Sequence, residues 1–381
     1  MLISGRNINF ADGIAMNVFF TITKSLGMTA LMLFFSLLIG CSTTDVKKEI
    51  EFPVYPPPPD EPRFHYERML KSSANIEKEE EEAVFKRLLT GEKRSGVGMS
   101  KPFGITVHKG RVFVSDTAKR LVHVFDVPES KYFEIGTETP GNLLKPIGID
   151  TDAQGHLYVI DATAKLIQVY DRDGNHILEA GERSMFSRPS GIAVDPKGTR
   201  IYVVDTGGVE STQHQVLVFD AQSGEHLYNI GKRGSGEGEL NLPREAIIAP
   251  NGMLYVVDGG NFRVQVFTPE GEFVSTFGSI GRRGGQFSRP KGIDVDSDGN
   301  IYVADAAFGN FQIFNEKGQL LLDVGSRNAR GGFGKFMLPS GVAVDEDGRV
   351  YMADQYLRKV EVFRPHRVAE GTGYLSEKKN Q

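Results

Sequence analysis

A repeat that begins at Pro102 constrains the fold more than any other feature of this chain. Six segments each open at a proline and close on an aspartate, and they start at Pro102, Pro146, Pro189, Pro243, Pro290 and Pro339. Each segment holds two short runs of β-branched and aromatic residues around a turn, which is the pattern of a β-hairpin. A third run follows in every repeat, and a fourth follows before the next proline. Four strands at a spacing of about 43 to 54 residues predict an all-β fold, a six-bladed β-propeller.

Composition narrows the chemistry that such a fold could carry. The chain has 381 residues with 44 Gly and 1 Cys, and its 44 Lys and Arg nearly balance its 49 Asp and Glu. A single cysteine excludes an intramolecular disulfide, a four-thiolate zinc site and an iron–sulfur cluster within one chain. The balanced charge argues against nucleic-acid binding driven by net charge.

The only cysteine lies directly after an uncharged apolar run. That run reads LGMTALMLFFSLLIG over residues 26–40 and is short for a membrane span of about 20 residues. The four residues Leu38-Ile39-Gly40-Cys41 resemble the bacterial lipobox, in which the cysteine is lipidated and starts the mature chain. We expect a lipoprotein signal peptide over residues 1–40 and a lipid anchor on Cys41. The alternative is a buried cysteine in a signal anchor. Ser42 after the cysteine favours the outer membrane, with the protein facing the periplasm.

The segments around the repeats have different expected roles. Residues 41–62 include four consecutive prolines and predict a stiff linker, and residues 366–381 predict a flexible tail. The propeller is expected over residues 92–365. Its last repeat has three strands, so a segment before the first repeat must supply the fourth and close the ring.

Two segments within residues 63–91 could supply that strand. We favour Arg63 to Leu70, followed by a helix from Ile76 to Leu89 that ends at Gly91. Residues Ile76, Val84, Phe85, Leu88 and Leu89 would share the buried face of this helix. The alternative is that residues 83–90 form the closing strand.

The repeats resemble those of bacterial NHL-repeat lipoproteins, which are six-bladed β-propellers. The resemblance extends over residues 56–365 and includes the lead-in PPPPDEPR and the segment HVFDVPESKYFEI of the first blade. It implies the fold but no single activity, because related propellers include a zinc-dependent amidating lyase and lactonases that bind a cation through Glu, Asn and Asp.

An aspartate closes the second strand of every repeat. Because the position is identical in each blade, we expect a structural role, in which the carboxylate caps backbone N–H groups of the following turn. The six residues are Asp116, Asp161, Asp205, Asp258, Asp305 and Asp354.

The fourth repeat departs from the pattern near its opening proline. Where five repeats have glycine two residues after the proline, this repeat has Glu245, preceded by Arg244. A charged side chain there is expected to point into or over the central channel, although a pair between Arg244 and Glu245 would explain it equally well.

The loops predict two faces of opposite charge. Connections between blades are rich in Gly, Lys and Arg, whereas the hairpins at the other end carry Asp150, Asp294 and other acidic residues. A basic face suits an anionic ligand such as a carboxylate, a phosphate or a sulfated glycan. The candidate ligand-binding residues are Arg233, Arg244, Glu245, Arg282, Arg283, Lys291 and Arg330.

Taken with the lipidated cysteine, these features predict a lipid-anchored scaffold of the cell envelope. It would bind a protein or an anionic glycan or peptide on its basic face, with no cofactor, no metal and no nucleic acid. The alternative is a divalent-cation-dependent lyase or lactonase-like enzyme centred on Glu245. No catalytic triad and no convergent set of histidines supports the enzyme.

Overall fold

The chain forms a six-bladed β-propeller. The computed structural model describes residues 51–376, and the described residues from Phe52 onward form one compact unit. The predicted signal peptide and Cys41 lie outside the described residues. Among residues 51–376, no helix combines the length and the apolar character needed to cross a membrane.

The first five blades are four-stranded antiparallel sheets whose strands follow the chain order from the axis outward. In blades 1 to 3 the strands are Pro102–His108, Arg111–Asp116, Leu121–Asp126 and Lys131–Ile135; Pro146–Thr151, Leu157–Asp161, Leu166–Tyr170 and His176–Ala180; and Pro189–Val194, Arg200–Asp205, Gln215–Asp220 and His226–Ile230. In blades 4 and 5 they are Ala246–Ile248, Leu254–Asp258, Arg263–Phe267 and Phe273–Phe277; and Pro290–Val295, Ile301–Asp305, Asn310–Phe314 and Leu320–Val324.

The sixth blade closes the ring with a strand from the other end of the chain. Its first three strands are Pro339–Val344, Val350–Asp354 and Lys359–Pro365, and the fourth is Phe64–Leu70. This closing strand is antiparallel to Lys359–Pro365, from the pair Phe64 and Pro365 to the pair Leu70 and Val360.

Short elements decorate the connections between the blades. One helix, α1, spans Glu81–Thr90, so residues 83–90 are helical and the alternative closing strand is wrong. The other short elements include two-residue parallel ladders and single 3₁₀ turns: Lys232–Arg233 with Glu239–Leu240, Ser326–Arg327 with Lys335–Phe336, Ser73–Asn75 and Gly373–Leu375.

The apolar core is divided among the junctions between neighbouring blades. Ile160 of blade 2 and Val203 of blade 3 belong to one buried cluster, and Val112 of blade 1 and Val360 of blade 6 belong to another. An isolated blade would expose both faces of its sheet to water, so the stability of each blade depends on its neighbours.

Three sequence predictions about the ends of the propeller require correction. The helix begins at Glu81 and not at Ile76, because Ile76 packs into the core ahead of the helix. Phe85, Leu88 and Leu89 are exposed and do not form the predicted buried face. Part of the predicted linker is folded: Val54–Tyr55 pairs with the closing strand.

The predicted flexible tail is also ordered through residue 376. Leu375 is buried in the cluster between blades 6 and 1, and the backbone carbonyl of Thr372 accepts a hydrogen bond of 2.6 Å from Arg349. Arg349 is completely buried and pairs with Glu67 of the closing strand at 2.7 Å. The tail and the closing strand therefore share one buried cation, which the tail's polar sequence did not reveal.

Candidate functional site

A cavity of about 320 Å³ opens at the end of the channel where the connections between blades lie. Five basic side chains line it together with Glu245, Gln355 and apolar and hydroxyl-bearing residues. A sixth basic residue, Arg289, lies close enough to two of the five to affect their ionisation. We call these six residues the cationic mouth: Lys101, Lys145, Arg188, Arg244, Arg289 and Lys291.

The repeat itself positions the cationic mouth. Four of the cations directly precede a blade-opening proline, and Arg244 and Lys291 directly follow one. The backbone N–H of each preceding residue is held by the aspartate that closes the second strand: Lys101 by Asp116 at 3.0 Å, Lys145 by Asp161 at 2.9 Å, Arg188 by Asp205 at 2.6 Å and Arg289 by Asp305 at 2.9 Å.

Those aspartates act on the backbone at both sides of the strand end. Asp116 also accepts hydrogen bonds of 3.0 Å and 2.9 Å from the N–H groups of Ala118 and Lys119 in the following turn. One buried carboxylate thus links the connection before a blade to the turn after its second strand. It also fixes the backbone of the basic residue that precedes the opening proline.

In the described part of the chain, the basic groups of the cationic mouth form no direct pair with a carboxylate, although Glu245 lines the same cavity. Among residues 51–376, no ion pair or side-chain hydrogen bond involves any of its six basic groups. Burial, followed by repulsion from Arg289 and Arg244, lowers the pKa of Lys291 to about 8. Burial and the nearby Arg188 and Arg289 likewise lower the pKa of Arg244. An anion in the cavity would relieve this repulsion.

The cavity wall also holds an unsatisfied neutral donor. The side-chain nitrogen Nε2 of Gln355 is buried and has no hydrogen-bond partner in the described residues. A buried donor without a partner costs about 1 to 3 kcal/mol, so a rotation of this side chain that exposed Nε2 to a ligand oxygen would recover free energy. Phe103 provides an apolar surface on the same wall, with the Lys291 ammonium 5.9 Å from its ring centroid.

Below the mouth, three carboxyl groups line the channel. Glu245 does not pair with Arg244; its Oε1 accepts hydrogen bonds from the N–H groups of Ile192 at 2.9 Å and Ala246 at 3.3 Å. A Cβ atom at residue 191 would overlap Oε1, so Glu245 requires the glycine that blade 3 provides there. Glu245 therefore binds blade 4 to blade 3.

The other two carboxyl groups, those of Asp150 and Asp294, also accept hydrogen bonds from a neighbouring blade. The prediction that they lie on the acidic hairpins is therefore corrected. Asp150 accepts a hydrogen bond from Val194 N–H at 2.8 Å, and Asp294 accepts one from Val344 N–H at 2.6 Å. Burial raises the pKa of Asp150 to about 7, and burial with repulsion from Asp150 raises the pKa of Asp294 to about 8. Burial and both aspartates raise the pKa of Glu245 well above its usual range.

These channel carboxyl groups predict that stability falls as pH rises. Their folded pKa values lie above the unfolded values, so their contribution is fully present near pH 4 and is lost as pH passes 7 to 8. We expect the ionisation of each aspartate to lower the free energy of unfolding by about 2 kcal/mol between pH 5 and 8.5. This is about half of the free energy that corresponds to the whole pKa shift, because solvent enters the open ends of the channel and screens the charges.

Urea unfolding of Asp294→Asn at pH 5 and pH 8.5 tests this expectation. The variant should lose its share of the pH dependence, while Asp173→Asn, a change on an exposed hairpin, should retain the wild-type dependence. A wild-type slope in Asp294→Asn would show that Asp294 does not titrate in this range.

The opposite end of the channel is acidic. Its opening is lined by Asp152, Asp296, Asp345 and Glu346, and the three aspartates are tied into their own hairpin turns, as when Asp296 accepts hydrogen bonds from Asp298 N–H and Tyr302 Oη. Among residues 51–376, no group of three or more His, Cys, Asp or Glu side chains is arranged to hold a metal ion.

The structure separates the candidate residues into two groups. Arg244, Glu245 and Lys291 line the cavity, whereas Arg233, Arg282, Arg283 and Arg330 are exposed on loops outside it. Lys101, Lys145, Arg188, Arg289 and Gln355 were not selected from the sequence. Their positions in the repeat could have identified them. Four of them directly precede the opening proline of a blade, and Gln355 directly follows Asp354, which closes the second strand of the sixth repeat.

Comparisons with known proteins agree with this architecture. The model of the NHL repeat matches residues 287–314, which contain most of blade 5. A structure of unknown function from Bacteroides thetaiotaomicron is similar at 18% identity with a TM-score of 0.57, covering 78% of this chain and 76% of that one. Virginiamycin B lyase from Staphylococcus aureus is similar at 15% identity with a TM-score of 0.52, covering 79% and 99%. A gluconolactonase from Xanthomonas campestris is similar at 17% identity with a TM-score of 0.52, covering 70% and 86%.

At these identities the similarity concerns the fold alone. The chain is a six-bladed β-propeller with a cationic opening at one end of its channel and an acidic opening at the other. The family match covers one NHL repeat, in blade 5, and the other blades follow the same four-strand pattern.

Proposed function

We propose that this propeller is a binding module of the bacterial cell envelope that captures an anionic group in its cationic mouth. The observation that carries the proposal is the set of six basic residues around one cavity without a carboxylate partner. Mutual repulsion among these neighbouring cations is unfavourable in the empty site, and an anion in the cavity would replace it by attraction.

The lining favours a carboxylate or a phosphate attached to a larger molecule. Lys291, Arg244 and Gln355 supply donors deep in the cavity, and Lys101, Lys145 and Arg188 supply further positive charge around them. Phe103 and Ile147 add apolar wall, which would contact the carbon skeleton of the ligand. A protein segment or an anionic envelope glycan or peptide has this chemistry. Neither a cofactor nor nucleic acid is needed for it.

The envelope assignment depends on Cys41. A lipidated cysteine would hold the propeller at a membrane surface, and the order of segments would place the folded body after a short Pro-rich connection. Cells that express the wild type in the presence of radiolabelled palmitate should label the protein, and Cys41→Ala should remain unlabelled. Equal labelling of the two proteins would remove the lipid anchor.

A titration of the purified protein tests binding at the mouth. Citrate, a compact tricarboxylate, should bind at one saturable site, and Lys291→Gln should weaken that binding at least tenfold. The competing proposal, a cation-dependent enzyme centred on Glu245, draws on the three channel carboxyl groups. It predicts stoichiometric calcium or zinc in the purified protein, which the binding proposal does not require.

A further inference from the structure

The helix α1 presents an apolar face that no residue in 51–376 covers. Phe85, Leu88 and Leu89 are 64%, 73% and 72% exposed, and none of the residues in Glu81–Thr90 is buried. Their spacing places them on one side of the helix. A helix of this length is marginally stable without tertiary contacts. Contact of this exposed face with a partner would therefore bury apolar surface and stabilise the helix.

Acidic residues lie at the start of the same helix. Glu80, Glu81 and Glu82 are exposed, and in the part of the chain that the structure describes they form no ion pair. Glu79 is different, since it pairs with Arg87 at 3.1 Å. The segment from Glu80 to Leu89 thus combines three free carboxylates with an apolar stripe.

The face that surrounds the cationic mouth has the complementary composition. Four separate loops of this face each expose one large apolar side chain: Leu144, Val209, Ile280 and Tyr356. Leu144 directly precedes Lys145 of the mouth, and Tyr356 directly follows Gln355. The 66% exposure of Ile280 and the 59% exposure of Tyr356 are large for such side chains, and a small anion inside the cavity could not cover them.

We infer that the segment Glu80–Leu89 of one copy docks on the cationic mouth and its apolar rim in a second copy. This inference rests on the proposed capture of carboxylates by the mouth and names one source of them. The carboxylates of Glu80, Glu81 and Glu82 enter the mouth, while the apolar face of α1 covers rim residues such as Leu144 and Tyr356. Within one chain, no residue of α1 lines the mouth.

Charge selects this partner over a lipid surface. Anionic headgroups would attract the basic face but repel the glutamates of α1, which would leave the helix uncovered. A second copy covers both surfaces at once. The contact joins different patches of two copies, so it can continue from copy to copy. A weak contact of this kind gains effective concentration when each copy is anchored to the same membrane.

Photo-crosslinking of the full chain in detergent tests the docking. A benzophenone amino acid at position 85 should produce a crosslinked dimer, and the crosslinked peptides should contain Leu144, Val209, Ile280 or Tyr356. Charge reversal at Glu80, Glu81 and Glu82 to lysine should reduce the dimer at least tenfold. A matched reversal on the opposite hairpins, Asp173→Lys with Glu272→Lys and Glu316→Lys, should leave the yield unchanged.

A second measurement keeps the result independent of crosslinker chemistry. A fluorescent peptide of residues 77–91 should bind the full-length protein, and the binding should disappear in Arg244→Glu with Lys291→Glu. Three results would each overturn the inference: no crosslinked dimer together with no peptide binding, crosslinks confined to lipid or to the same chain, or an undiminished yield of crosslinked dimer when Glu80, Glu81 and Glu82 are changed to lysine. If citrate still binds at the mouth in that case, only the docking fails; if citrate also fails to bind, the proposed function fails with it.

Discussion

Deletion of residues 53–70 should abolish cooperative thermal unfolding of the propeller. The deletion removes the fourth strand of blade 6 and with it the buried side chains of Phe64, Tyr66 and Leu70. Burial of three side chains of this size contributes about 5 to 9 kcal/mol, which is comparable with the whole stability of a typical domain. We expect a chain that is unfolded or aggregated at 25 °C.

The same deletion removes one of the two carboxylate partners of a buried cation. Arg349 is completely buried and pairs with Glu67 of the closing strand at 2.7 Å, and its remaining carboxylate partner is Asp347 at 2.6 Å. Breaking one side of such a buried pair costs about 3 to 5 kcal/mol. A milder variant, Glu67→Ala, isolates this contribution without removing the strand.

Circular dichroism during heating measures the effect. Removal of residues 1–51 is the matched control, because the compact unit begins at Phe52. The control should keep the unfolding transition of the wild type, while the 53–70 deletion should show none. An unchanged melting temperature after the 53–70 deletion would mean that the ring does not depend on this strand.

Reversal of two cations of the mouth should abolish anion binding. Arg244→Glu with Lys291→Glu replaces two attractive groups that line the cavity by repulsive ones. Each charge-assisted contact is worth about 1.5 to 3 kcal/mol, so we expect citrate affinity to fall at least 100-fold. The fold should persist, because the change relieves repulsion with Arg188 and Arg289.

The loop arginines supply the control for this variant. Arg282→Glu with Arg283→Glu changes the net charge of the protein by the same amount, but both residues are exposed outside the cavity. This variant should bind citrate within about threefold of the wild type, a difference that reflects only long-range attraction. Equal loss of binding in the two variants would place the ligand on the loops and not in the mouth.

The contrast between these residues shows how far the sequence predicts the site. Repetition identified the blades, and the break in repetition identified Arg244 and Glu245. Arg282 and Arg283 were selected because they lie together in a glycine-rich loop, yet proximity along the chain does not bring them to the axis. Lys101 and Lys145 are 44 residues apart at equivalent positions of blades 1 and 2, and packing of the two blades around the axis brings them to one cavity.

Residues whose role depends on another blade were the hardest to predict. Asp150 and Asp294 resemble the acidic residues of hairpin turns, but their hydrogen bonds to Val194 and Val344 place them in the channel. The tail has a polar sequence in which Leu375 is the residue that reaches the core. Helical spacing predicted α1, while its exposed face could not be foreseen because periodicity does not tell whether a partner surface exists.

Proton uptake on citrate binding tests the central claim most directly. Lys291 has a pKa near 8 in the empty mouth, and a bound anion would raise that pKa. Calorimetric titrations at pH 8, where citrate is fully ionised, in two buffers with different ionisation enthalpies should therefore show uptake of about half a proton per citrate. Lys291→Gln should remove the uptake. The absence of saturable binding, or binding without proton uptake at pH 8, would contradict an anion site in the cationic mouth.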